Sequence, residues 1–227
     1  YLNADVNLFL TQYDMDILAQ NYGDSIGKCF LTGCFETIDK PLINKCDNID
    51  GKTLVISGAL NFPQTEKAVM QFLQNYFNLL ELNKYNLLIT GRNPSDKLVR
   101  MVYKKGAQIV ASPDDIDGVI SSASIYLCPI TDGGGFKLRM MDGLRLGMPV
   151  ITHANSVRGY EVLMGKPYFV TYDSTYSFVE CLQKIEDGLK QKRINSDEIQ
   201  KDYIAHFSLN AGIRKLYSIC NELLLNR

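Results

Sequence analysis

Three consecutive glycines, followed closely by two basic residues, form the part of this sequence best suited to binding a ligand. The run, residues 133–135, follows the apolar stretch 124–130 and opens a segment of helical pattern that carries Lys137 and Arg139. Glycine has no Cβ, so the backbone can turn sharply there and approach a ligand closely. A helix start adds unpaired N–H groups and a positive dipole end, which attract anions. The pattern predicts a phosphate or diphosphate site, although three glycines alone are equally typical of a flexible turn.

The charged residues of that helical segment allow two interpretations. Cations at a helix N-terminus oppose the dipole by ~0.3–1 kcal/mol each, a cost for Lys137 and Arg139 that a bound anion would remove. Asp142 is close enough to the helix start to accept hydrogen bonds from ribose hydroxyls, but its spacing also fits ion pairs with Arg139 or Arg145. Gly143 costs the helix ~1 kcal/mol relative to alanine, which predicts close packing by a neighbouring strand or a ligand.

Two further glycines, Gly58 and Gly91, each follow an apolar strand-like run directly. In open α/β sheets ligands bind beyond the carboxyl ends of the strands, where such loops lie. Arg92 is therefore a second candidate for a phosphate contact, and the alternative is an exposed arginine with no partner.

The elements that would position these residues alternate between short apolar runs and longer segments of helical period. The predicted strands are residues 6–10, 28–31, 53–57, 86–90, 108–110, 124–129, 149–152 and 168–171. The predicted helices are residues 15–21, 64–82, 94–104, 115–121, 137–146 and 176–191, with a helical segment at 196–227. This alternation predicts an α/β fold with a Rossmann-like, doubly wound parallel sheet. Nearly all-apolar strands such as 53–57 predict burial on both faces of the sheet.

Local signals predict several helix ends. Pro63 stands just ahead of the helix at 64–82, as suits a helix start. Pro94 fits the first helical position with Asn93 as the N-cap. Gly147 is predicted to end its helix in the left-handed conformation. The polar stretch 37–52 lacks periodicity and predicts a linker.

The composition is that of an ordinary globular protein and restricts the partners. The 227 residues allow one large domain or two small ones, with a hydrophobic share of 46%. A net charge of −1 predicts no nucleic-acid partner. No apolar run reaches ~18 residues, which predicts no transmembrane segment. The six cysteines lack metal-ligand spacing and predict buried, reduced thiols, and with two histidines no metal site is expected.

Three segments carry a family resemblance: SGALNFPQTEKAVMQFL at 57–73, LLITGR at 87–92, and the stretch 107–152 with its glycines, basic residue, acid and Gly-x-Pro-Val turn. With them the chain resembles the C-terminal, nucleotide-sugar-binding half of GT-B glycosyltransferases, close to glycosyl transferases group 1, or family 4. The resemblance implies a remnant of the N-terminal domain and the start of a linker at 1–38. It implies the Rossmann-like domain at 39–195 and a C-terminal helical segment at 196–227 that crosses back to the first domain. The start at Tyr1, within a strand-like run, predicts a fragment, which trimming or proteolysis would explain equally.

The resemblance also implies a donor site. Gly133, Gly134 and Gly135 with Lys137 and Arg139 would hold the diphosphate, and Asp142 would replace a ribose-binding glutamate. The nucleotide-sugar-binding set expected from sequence is Gly58, Arg92, Gly133, Gly134, Gly135, Lys137, Arg139 and Asp142, with residues 111–113 passing near the base. The family's first glutamate would stand at Gly134 and is missing, so the catalytic residues stay unassigned.

The implied function is transfer of a hexosyl group from a nucleoside-diphosphate sugar to a glycan or lipid-linked acceptor bound by the missing domain. The implied enzyme requires no metal or cofactor beyond its donor, whose base is unknown, and serves cell-envelope polysaccharide biosynthesis. A cytoplasmic location is expected, either free or peripheral to the inner face of the membrane through the missing domain. The fragment alone is expected to be inactive. The alternative is a non-catalytic GT-B-like module that binds a sugar nucleotide or a partner, and a GT-B epimerase half has little support.

Overall fold

The computed structural model describes residues 4–23, 27–38, 40–42 and 52–225 of the chain. The strands are β1 (Val6–Phe9), β2 (Lys28–Leu31), β3 (Thr53–Ala59), β4 (Asn86–Arg92), β5 (Gln108–Ala111), β6 (Ile125–Cys128), β7 (Val150–His153) and β8 (Phe169–Tyr172). The helices are α1 (Gln12–Tyr22), α2 (Pro63–Asn75), α3 (Phe77–Leu82), α4 (Asp96–Lys105), α5 (Ile116–Ser121), α6 (Arg139–Arg145), α7 (Thr175–Lys190), α8 (Ser196–His206) and α9 (Leu209–Leu225). Each of the eight predicted strands is present, with its ends shifted by two residues at most.

Six parallel strands form the main sheet in the order β5-β4-β3-β6-β7-β8. When β3 to β8 are renumbered 1 to 6, this is the 3-2-1-4-5-6 order of a Rossmann fold. The predicted fold class is therefore confirmed. Crossovers between parallel strands follow a right-handed rule, which for this strand order places the helices of the two halves on opposite faces. The middle residues of β3 and β4 are all buried, as their apolar runs predicted.

A smaller parallel sheet pairs β1 with β2, in register from Val6 opposite Lys28 to Phe9 opposite Leu31. Helix α1 connects these strands and has Thr11 as its N-cap, whose hydroxyl accepts a hydrogen bond from the backbone N–H of Asp14. The two sheets occupy different parts of the chain, and the domain boundaries at 38 and 195 remain predictions.

The segment predicted as one helix over 64–82 is two helices that meet at Tyr76. The ring of Tyr76 stacks on Phe72 and packs edge-on against Tyr172 and Phe178. The single-helix prediction was wrong because apolar spacing continues across the break, and the aromatic partners come from distant elements. Pro63, predicted to stand just ahead of the helix, is its first residue, so α2 begins one residue earlier than predicted.

Helix α4 begins two residues later than predicted. Ser95, not Asn93, is the N-cap, and its hydroxyl accepts a hydrogen bond from the backbone N–H of Leu98. Asn93 adopts φ +49°, in the left-handed region, which places Pro94 outside the helix. The predicted left-handed Gly147 after α6 is confirmed with φ +67°.

The predicted C-terminal helical segment is also two helices. Phe207 is buried against Tyr160, and the hydroxyl of Ser208 accepts a hydrogen bond from the N–H of Ala211 to start α9. Helix α9 packs so closely on the N-terminal segment that a Cβ on Gly212 would overlap the ring of Phe35. The Glu36 N–H also donates to the Phe207 carbonyl over 2.8 Å. The C-terminal helices therefore contact the N-terminal part of the chain.

The five described cysteines are unpaired, but they are not uniformly buried. Cys128 and Cys181 are buried, Cys29 and Cys34 are half-buried, and Cys220 is exposed. The burial prediction is therefore wrong for Cys220, and Cys46 lies outside the described residues. In the described ranges no helix is both long and apolar enough to cross a bilayer. The same ranges contain no cluster of three His, Cys, Asp or Glu side chains that would suit a metal ion.

Candidate functional site

A cavity of about 300 Å³ opens where the strand order of the main sheet reverses. Strands β3 and β6 pair only through Leu54 with Ile125 and Val55 with Tyr126, whereas β3 continues to Ala59. The strands therefore separate toward their carboxyl ends, at the position where doubly wound folds bind ligands. The cavity wall comprises residues 56–59, the start of α2, residues 126–130, Gly134 and residues 136–139.

Buried polar atoms form the floor of this cavity. The hydroxyls of Ser57 and Tyr126 lie 2.8 Å apart and hydrogen-bond across the two strands. Burial raises the pKa of Tyr126 well above its usual value, so this hydroxyl stays protonated. A Cβ on Gly143 would lie 2.6 Å from Cγ of Tyr126. The close packing predicted for Gly143 is thus confirmed, with a strand side chain as the neighbour.

The glycine loop turns back on itself and is held by Lys137. Gly133 and Gly135 have φ values of +87° and +78°, which glycine adopts without strain. The Lys137 ammonium donates to the carbonyls of Gly133 and Gly134, each over 3.2 Å, and to that of Gly135 over 3.4 Å. Lys137 thus provides hydrogen-bond donors to the loop carbonyls and places its positive charge at the cavity wall.

The predicted helix start at residue 137 was wrong. Helix α6 begins at Arg139 and has seven residues, so Lys137 lies ahead of it in the loop. Lys137 therefore does not carry the free-energy cost that was expected for a cation at the positive end of the helix dipole. Arg139 is the first helical residue, and its Nη1 lies 3.3 Å from Oδ2 of Asp142.

Asp142 is bound by three cations. Its carboxylate, 9% exposed, accepts from Arg139 and from Lys40 over 3.3 Å, and its Oδ1 lies 3.7 Å from Nη2 of Arg145. The ion pairs of Asp142 with Arg139 and Arg145, which its spacing allowed, are therefore present in the structure. Its ribose contact stays a prediction, and it would require a hydroxyl to compete with these cations.

Arg145 is the most deeply buried charge of the site, with 1% of its side chain exposed. It donates to Oδ1 of Asp117 over 2.5 Å and to the carbonyl of Pro41 over 2.9 Å. Lys40 and Pro41 belong to the stretch predicted as a linker, so the described part of that stretch is bound to α6. Sequence reasoning missed both contacts because nothing in a polar, aperiodic segment indicates its partner.

The remaining predicted residues lie around the carboxyl ends of β3 and β4. Gly58 lines the cavity. Gly91 is its register partner in β4, with φ +149°, and a Cβ there would overlap the Gly58 carbonyl oxygen. Arg92 is exposed and does not belong to the cavity wall. The structure thus places Gly58 in the same cavity wall as Gly134 of the glycine loop, and Arg92 outside that wall.

Two cations near the loop were not singled out in the sequence. Lys67 on α2 forms an ion pair with Asp132, at the start of the loop. Arg158, in the loop after β7, has Nη1 3.8 Å from the position of a Cβ on Gly134. Burial, the largest influence, lowers the pKa of Lys137; the nearby Cys128 opposes this effect and the charge of Arg158 adds to it. Arg158 and Gly134 are neighbours only through the fold, so the sequence carried no signal for their proximity.

A family model described as "Glycosyl transferases group 1" matches residues 51–187, more than half of the chain and all of the elements that form the cavity. The chain belongs to this family. The family resemblance predicted from sequence is therefore confirmed, and family and fold together support a glycosyltransferase. No curated protein sequence gave a significant match to this group 1 chain.

Solved structures with the same fold share little sequence identity with this chain. A GtfA/B complex matches with a TM-score of 0.69 and 17% identity over 96% of this chain. The pneumococcal O-GlcNAc transferase GtfA in complex with UDP and GlcNAc matches with a TM-score of 0.63 and 16% identity over 97% of this chain. Anabaena HepE in complex with UDP matches with a TM-score of 0.69 and 9% identity over 96% of this chain. The group 1 chain spans 45%, 46% and 64% of these three chains, respectively, so the matches establish the fold of a part of each.

Proposed function

We propose that this chain binds a nucleoside-diphosphate sugar, with the diphosphate at the glycine loop 133–135. One observation carries the proposal: the cavity at the strand-order reversal is bordered by the loop and by two cations, Lys137 and Arg139. Positive charge in a partly dehydrated cleft favours an anion, and a diphosphate carries enough charge and acceptor oxygens to engage both side chains. The adjoining apolar part of the cavity leaves room for the sugar or the base.

In the whole protein we infer transfer of a hexosyl group to a glycan or lipid-linked acceptor. The bond between the sugar C1 and the diphosphate oxygen breaks, and its electron pair stays on the leaving diphosphate. The acceptor hydroxyl oxygen forms the new bond to C1 and loses its proton. Lys137 and Arg139 would stabilise the charge that develops on the leaving group, which is electrostatic catalysis without covalent chemistry from the protein. The catalytic base remains unassigned.

Other parts of the proposal rest on the family resemblance. We infer a donor-dependent reaction without metal or further cofactor, a cytoplasmic location and a role in envelope polysaccharide synthesis. UDP is the first nucleotide to test, because two neighbours of the same fold were solved in complex with it.

The first prediction concerns affinity. UDP, GDP and ADP are titrated into the chain by calorimetry, and at least one should bind. Lys137→Ala should then weaken binding about ten- to hundred-fold, because it removes a charge-assisted hydrogen bond of ~1.5–3 kcal/mol. The matched control is Lys97→Ala, which removes an exposed lysine of α4. Equal affinities for wild type and Lys137→Ala would remove the role assigned to Lys137.

The second prediction concerns pH. Lys137 is charged below its pKa and neutral above it, and burial lowers that pKa from its usual value of 10.5. Diphosphate affinity should therefore fall as pH rises, and the fall should begin at a lower pH than for an exposed lysine. Lys137→Arg should bind with little change over the same range because an arginine stays charged. Calorimetry between pH 7 and roughly 10, with the fold followed by circular dichroism, tests this; identical pH profiles for both proteins would contradict it.

The second candidate is a non-catalytic donor-binding module. It is favoured by Gly134, which stands where the resemblance places a glutamate, and by Asp142, which is engaged by Lys40, Arg139 and Arg145. Sugar-nucleotide transfer and hydrolysis by the longest natural form of the protein separate the candidates. Turnover supports the enzyme, and complete inertness with intact nucleotide binding supports the module.

A further inference from the structure

Arg158 lies between the glycine loop and the N-terminal helix α1. Its guanidinium stacks over the ring of Tyr13 at 3.7 Å from the ring centre. Its Nη1 comes within 3.8 Å of the position that a Cβ on Gly134 would occupy. Gly134 belongs to the cavity wall, so Arg158, which is outside that wall, lies next to a residue that lines the cavity.

The positive charge of Arg158 has no carboxylate partner among the described residues. Lys137 likewise bonds only to loop carbonyls in that part of the chain, whereas Arg139 is paired with Asp142. Two unneutralised cations therefore flank Gly134. Burial is the main cause of the lowered pKa of Lys137, and the nearby charge of Arg158 lowers it further. Placing these like charges together costs free energy, and a bound anion would remove that cost.

The contact with the Tyr13 ring holds the guanidinium of Arg158 in place. A cation over an aromatic face gains ~0.5–1 kcal/mol at exposed sites. It leaves the N–H donors at the guanidinium edge available for a planar, two-point contact with phosphate oxygens. Tyr13 therefore orients Arg158 without using its hydrogen-bonding capacity.

We propose that Arg158 is a further anion-binding residue of the donor site, and that Tyr13 is its positioning residue. The proposal rests on the proposed function, because the anion is the diphosphate of the donor. Position 134 then has a clear role. A side chain there would extend toward Arg158, and an acid there would pair with Arg158 in place of the diphosphate.

The first test measures binding of UDP and of inorganic pyrophosphate by calorimetry at fixed ionic strength. Arg158→Ala should weaken both ligands about ten- to hundred-fold, as expected for a lost charge-assisted contact. Arg158→Lys should retain part of the affinity, because it keeps the charge but loses the planar fork. Arg214→Ala, on α9, is the matched control for removal of one arginine and should bind as wild type does.

The second test uses position 134, where φ is not positive and a Cβ meets only ordinary contact. Gly134→Ala should bind UDP nearly as wild type does. Gly134→Glu should bind about ten-fold or more weakly, and Gly134→Gln, of the same size but uncharged, should be affected less. If Glu and Gln weaken binding equally, the loss is steric and the ion-pair argument fails.

The third test separates positioning from general stability. Tyr13→Leu should lower UDP affinity in the wild-type background but not in the Arg158→Ala background, a coupling that a purely structural role would not produce. If Arg158→Ala binds UDP like wild type while Lys137→Ala does not, the inference is overturned and the donor site stands. If wild type binds no nucleotide and no pyrophosphate, both proposals fall.

Discussion

Replacing Gly91 by alanine is expected to lower the free energy of unfolding by about 3–5 kcal/mol, combining backbone strain with overpacking. Gly91 adopts φ +149°, a conformation that side-chain-bearing residues rarely adopt, and the added Cβ would overlap the carbonyl oxygen of Gly58. The two glycines are register partners in the central strands β3 and β4. Relief would require the strands to separate, and that would disturb the interior of the sheet.

Urea denaturation of both proteins checks this expectation. Gly106→Ala is the matched control, since Gly106 also has a positive φ of +77° but a Cβ there would meet no atom within 4 Å. Gly106→Ala should lower the free energy of unfolding only by the backbone strain, about 1 kcal/mol. Comparable losses at the two glycines would show that the close approach of Gly91 to Gly58 is unimportant. Because Gly58 lines the cavity, any Gly91→Ala protein that still folds should also bind nucleotide more weakly.

Replacing Arg145 by alanine is the second change with a large expected effect, also about 3–5 kcal/mol, the usual cost of removing one partner from a buried ion pair. The side chain is 1% exposed and donates to Asp117 and to the Pro41 carbonyl. Its loss leaves a cavity, deprives Asp117 of its cation and leaves Asp142 with only its more exposed partners. It also releases the segment at Pro41 from α6.

Chemical denaturation of three variants separates the contributions. Arg145→Met keeps most of the side-chain volume, so its decrease in the free energy of unfolding reports mainly on the lost charge and hydrogen bonds. Arg139→Ala removes a cation from the same Asp142, but that arginine is 40% exposed, so the cost should stay below ~1 kcal/mol. Near-equal losses for Arg145→Ala and Arg139→Ala would contradict the importance given to burial.

Local sequence patterns were sufficient to predict the fold class. Apolar runs such as 53–57 predict strands because burial on both faces selects the same residue types at adjacent positions. Their alternation with helical segments predicts a parallel sheet, and the observed strand order agrees. The break between α2 and α3 at Tyr76 was not predicted, because the aromatic partners of Tyr76 come from β8 and α7, which are distant in the sequence.

The candidate site divides in the same way. The sequence by itself determined that a glycine loop follows a strand and is trailed by Lys137, because all of these residues are neighbours in the chain. Only the tertiary structure decided which cations act together. Lys40 reaches Asp142 across 102 positions of sequence, and Arg158 meets both Tyr13 and Gly134. Such pairings depend on how separate elements pack, and the spacing of residues along the chain carries no physical record of that packing.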